Sequence, residues 1–99
     1  MLKYHQDIIK EFEGLKATII LFGSVSRGNY RLDSDIDLAI ISNNKKIKQK
    51  AENIADKILF KYGKVVSLKF FTKDDFYKKI NKKDPFVFEI IKGKVIYNE

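Results

Sequence analysis

"LFGSVSRGNYRLDSDIDLAII", residues 21–41, is the stretch on which the reading of the chain turns. An apolar segment stops at Gly23-Ser24 and a polar loop carries Arg27 and Arg31. Asp35 and Asp37 then stand inside what otherwise reads as a buried strand. Side chains alternate across a strand, so the two aspartates share one face while Ile36, Leu38 and Ile40 share the other. Two residues of strand separate their α-carbons by roughly 7 Å, close enough for both carboxylates to lean on one cation. Like charges at that distance repel unless something positive sits between them. Mg2+ suits the position, being a hard ion held by one or two carboxylates together with substrate phosphates. A purely structural account fits less well. The turn chemistry of "LDSD" (32–35) explains Asp33 and Asp35 but leaves Asp37 without a reason.

Gly23 permits a tight turn with the backbone close to a ligand. Backbone N–H groups at such a turn favour phosphate, and the Ser24 hydroxyl adds a donor. A Gly-Ser pair alone is common; its fixed distance from the two aspartates gives it weight.

Working outward, residues 2–13 carry Leu2, Ile8, Ile9 and Phe12 at near-helical spacing, with Gly14 as the stop. "ATIILF" (17–22) reads as a strand buried on both faces, and "IDLAII" (36–41) as a second strand. From Lys45 to Tyr62 an apolar stripe predicts a helix that Gly63 ends. "VVSLKFFT" (65–72) is a third strand. A short helix is expected around 74–80, where Asp74 and Asp75 suit the first turn. In "DPFVFEII" (84–91), Asp84 as N-cap and Pro85 at the first position predict a helix, although the apolar residues also fit an extended segment. "KGKVIY" (92–97) reads as a final strand. The alternation predicts a single α/β or α+β domain over residues 1–99, with helices around one mixed sheet.

The chain has 99 residues, 44% hydrophobic and 33% charged, enough for one modest core and too apolar for disorder. No run is long enough to span a bilayer and no signal peptide is visible, so no membrane association and a cytoplasmic setting are expected. With no cysteine, disulfides and thiol chemistry are excluded. The single histidine, His5, has no evident partner and is read as a surface residue. The net charge of +7 raises nucleic-acid binding as an alternative. Against it, the lysines are scattered, and the clusters at 45–50 and 78–83 read as solvated helix faces. Both arginines of the chain, Arg27 and Arg31, lie in the loop between Gly-Ser and the aspartates. There their planar forks suit an anion.

Gly23-Ser24, ten intervening residues and Asp35-Ile36-Asp37 resemble the signature of the DNA polymerase beta-like nucleotidyltransferase superfamily. "GSVSRG" followed by "SDIDLAI" is most similar to its minimal nucleotidyltransferase branch. The resemblance implies a nucleotidyltransferase fold, a bound nucleoside triphosphate such as ATP, and Mg2+-dependent transfer of a nucleoside monophosphate to a hydroxyl. It implies that Gly23, Ser24 and Arg27 hold the nucleotide and that Asp35 and Asp37 are the catalytic metal ligands. The smallest members resemble antitoxins paired with HEPN-domain toxins, which implies a partner protein as acceptor. One departure stands out. Transferring members carry a third carboxylate on a following strand, and the nearest match here is Ser67, with Lys69 on the same face. That leaves a degenerate, non-catalytic nucleotide-binding or antitoxin module as the alternative reading.

Overall fold

The computed structural model describes residues 3–23 and 35–98. Among them are four strands: β1 (Thr18–Phe22), β2 (Ile36–Ile41), β3 (Val66–Phe71) and β4 (Lys94–Tyr97). Four α-helices accompany them: α1 (Lys3–Ile9), α2 (Lys46–Tyr62), α3 (Lys73–Asn81) and α4 (Pro85–Ile91). A 3-10 turn over Lys10–Phe12 extends α1. The sheet order is β3-β2-β1-β4. β1 pairs antiparallel with β2 and β4, and β2 pairs parallel with β3 across the α2 crossover. The sheet is therefore mixed, as expected, and "84–91" is helical.

Alternation along the central strands splits the core in two. Ile19, Leu21, Ile36, Leu38 and Ile40 face α1 and α2, where they pack with Ile8, Phe12, Ile47, Ala51 and Ile58. Ile20, Phe22, Ala39 and Ile41 face the other way, against Phe76 of α3 and Val87 and Ile90 of α4. The helix ends follow their local chemistry. Gly63 closes α2 with φ 65°, its N–H donating to Leu59 O, a left-handed cap that glycine takes without strain. Thr72 caps α3, its hydroxyl oxygen accepting from Asp75 N at 3.1 Å. Asp84 Oδ1 accepts from Phe86 N at 2.9 Å and Val87 N at 3.2 Å, which starts α4 behind Pro85.

His5 is a correction. It is fully buried rather than on the surface. His5, Ile8, Ile9 and Phe12 stand at i, i+3, i+4 and i+7, so the imidazole belongs to the stripe that α1 turns inward. Neither ring nitrogen has a hydrogen-bond partner among the described residues. Burial, followed by the positive charge of Lys64, pushes the imidazole below its ordinary value of 6.5. The unfolded chain then takes up a proton before the folded one does, so this contribution to stability is whole above pH 6.5 and declines as the pH drops below it. Thermal melts across pH 8 to 5 should show the midpoint falling below that value, and His5→Leu should flatten this part of the profile.

The α3–α4 corner is strained. Lys83 has φ 58°, the left-handed region, with its N–H donating to Ile80 O and Asp84 N–H donating to Lys79 O, both at 3.0 Å. Glycine usually fills this position of a helix terminus, and a lysine there costs about 1 kcal/mol. Lys83→Gly should raise stability by about 0.5 to 1 kcal/mol in denaturant titrations.

Candidate active site

The aspartate pair sits where β2 begins, beside the end of β1. Ile36 N–H donates to Val65 O at 3.2 Å, which ties the start of β2 to the start of β3. From there the register is fixed on both sides: Asp37 lies opposite Phe22 on β1 and opposite Ser67 on β3. Asp37 is half-buried and Asp35 exposed. By strand alternation Asp37 belongs to the sheet face that carries Phe22, Ala39 and Ile41, the face covered farther along by α3 and α4, and Asp35 precedes the strand.

Gly23 completes this corner. Its φ is 78°, a conformation that strains any L side chain. A Cβ added to it would run into Asp37 Oδ2 and lie within 3.2 Å of Asp37 Cγ. The Asp37 side chain thus rests directly against the Gly23 backbone. Two sequence-predicted residues separated by thirteen positions meet because β1 and β2 are adjacent and antiparallel. Ser24, Arg27, Arg31 and Asp33 lie outside the described residues.

Ser67, the residue at the expected position of a third carboxylate, stands beside Asp37 on the neighbouring parallel strand. Lys69 is opposite Ala39, one step along the same face, and is exposed. Among the described residues no three histidine, cysteine or acidic side chains come together. Carboxylates at positions 35 and 37 are oxygen donors of the kind that suit a hard divalent cation taking its remaining ligands from phosphate and water.

A cavity of about 290 Å³ opens at the other end of the sheet, past the C-termini of β2 and β3, with Ile40, Ser42, Lys45, Phe70 and Thr72 in its wall. Its polar oxygens are engaged in holding helices. Ser42 Oγ accepts from Asn44 N, Asn44 Oδ1 from Lys46 N, and Thr72 Oγ1 from Asp75 N. The carboxylates lie at the opposite end of β2. Phe86 went unnoticed in the sequence: its ring meets Phe22 edge-on at 5.8 Å, next to Asp37, although it is distant in the chain. No described helix is long and apolar enough to cross a membrane.

Comparison with known proteins identifies the family. The nucleotidyltransferase domain family model matches residues 2–97. "Putative protein adenylyltransferase MJ0604" of Methanocaldococcus jannaschii is 37% identical over 71 residues, covering 72% of this chain and 69% of that protein. "Putative protein adenylyltransferase MJ0141" of the same organism is 39% identical over 72 residues, covering 62% of this chain and 73% of the other. A solved chain, "Crystal structure of putative nucleotidyltransferase", is 28% identical over 96% of each chain with a TM-score of 0.47. With nearly its whole length matched, the chain belongs to the nucleotidyltransferase domain family.

Proposed function

We propose that the chain transfers a nucleoside monophosphate from a nucleoside triphosphate, ATP, to a hydroxyl on a partner protein such as a HEPN-type toxin. The observation that supports this reading is the corner where the Asp37 side chain rests against Gly23, with Asp35 two residues before it. The two similar proteins are named as protein adenylyltransferases, which supports AMP as the group and protein as the acceptor.

Asp35 and Asp37 would hold Mg2+, which when bound neutralises phosphate charge and draws electron density from the α-phosphorus. The Gly23 turn, with Ser24 and Arg27, binds the triphosphate and orients it in line with the acceptor. The acceptor oxygen then bonds to the α-phosphorus as the bond to the β-phosphate oxygen breaks. Pyrophosphate leaves, and the hydroxyl proton passes to water. Transfer of label from α-labelled ATP to the partner, dependent on Mg2+, is the direct test. Asp37→Asn should abolish transfer, and Gly23→Ala should cut it by about 100-fold by displacing Asp37. Equal label transfer by wild type and Asp37→Asn would refute the assignment.

Ser67 beside Asp37 favours a second reading, a module that binds nucleotide or neutralises a toxin without catalysis. It predicts that Asp37→Asn leaves partner binding and neutralisation intact. The same register gives a gain-of-function test. Ser67→Asp should tighten Mg2+ binding and raise transfer, more so when Lys69 is replaced by Gln. If neither quantity moves, the third-carboxylate position lies elsewhere.

A further inference from the structure

Phe86 stands at the second position of α4 and its placement is over-determined. Pro85 sets the backbone, Asp84 Oδ1 takes the Phe86 N–H, and the buried Val87 and Ile90 fix the rotation of the helix against the sheet. The Phe86 ring is packed edge-on to Phe22, at a centroid distance of 5.8 Å and an interplanar angle of 87°. Phe22 is only 7% exposed, whereas Phe86 keeps 44% of its surface in solvent. Phe22 is also the residue opposite Asp37, and in an antiparallel pair such partners have α-carbons about 5 Å apart. A half-exposed aromatic ring therefore packs on the residue that stands opposite Asp37.

We propose that Phe86 is the platform on which the nucleotide base stacks, and that it gives the site a preference for purine over pyrimidine triphosphates. The inference rests on the nucleotide-binding reading above and adds to it the residue that meets the base. With the phosphates held at Gly23 and Asp37, a nucleoside that extends along the face carrying Phe22 meets Phe86, which among the described residues is an exposed aromatic ring in contact with Phe22. Every base has a π-face, and stacking on an aromatic side chain gains with the area of the ring system. A purine covers more of the exposed phenyl ring than a pyrimidine does. The ring is already immobilised, so little side-chain freedom is lost on binding.

The chain contains no tryptophan, so Phe86→Trp introduces a single reporter. Its fluorescence should be quenched by α,β-methylene-ATP in the presence of Mg2+ and left unchanged by inorganic tripolyphosphate. In calorimetric titrations of the full chain, Phe86→Ala should weaken binding of the ATP analogue about tenfold or more and leave tripolyphosphate binding at the wild-type level. Phe86→Tyr should retain both affinities. Phe86→Leu, which keeps the apolar contact with Phe22, should behave like alanine, and the preference for ATP over CTP should disappear in both. A purely structural role would weaken the two ligands together, or neither, and either result overturns the proposal. Equal affinity of wild type and Phe86→Ala for the ATP analogue overturns it while leaving the nucleotide site standing. Wild-type protein that binds neither ATP analogue nor tripolyphosphate overturns both.

Discussion

The antiparallel pairing of β1 with β2, running from Thr18 against Ile41 to Phe22 against Asp37, settles which side chains each face of the sheet presents. A slip of one residue would send Ile36, Leu38 and Ile40 to the face of α3 and α4 and bring Asp37 into the larger core. The apolar alternation makes that slip prohibitively costly, because three fully buried side chains would leave their places together. The same pairing presses Gly23 against Asp37. Core packing and site geometry are thus a single constraint, and the aspartates stay where they are because the isoleucines and leucine opposite them are buried.

Charge around this corner is divided in a way that the overall +7 conceals. Lysines decorate the helices and the outer strands, including Lys69 on β3 and Lys94 on β4. Both β3 and β4 form edges of the sheet, where cations discourage pairing with other chains. The same exposed lysines leave the sheet edges positive, which favours encounter with an anion.

Much of the fold was legible because the sequence patterns were strong. β2 begins and ends where its apolar run does, and α2 stops at the glycine that caps it. The helix expected over 84–91 from Asp84 and Pro85 is present, with Asp84 capping it and Val87 and Ile90 buried, although the apolar residues alone also suited an extended segment. His5 was misread through choice of the wrong stripe: positions 5, 8, 9 and 12 are as regular as an apolar helix face allows, but a histidine was not counted among them. Asp37 and Ser67 are partners in the register of β2 with β3, a neighbourhood that neither strand's own sequence states. The approach of Phe86 to Phe22 had no local signal, since it depends on how α4 docks on β1.

β4 brings a consequence for how the corner is assembled. It pairs with β1 through contacts such as Ile20 with Val95, among the most distant in sequence that the sheet contains. Closing so long a loop is slow compared with forming the β2–α2–β3 unit, whose contacts are nearer in the chain. Val87 and Ile90 of α4 pack on Ile20 and Phe22 of β1. The approach of Gly23 to Asp37 is thus local in the chain, whereas the contact of Phe86 with Phe22 closes a far longer loop, so a change in how α4 docks alters the surroundings of the carboxylate corner without touching the β1–β2 pairing that forms it.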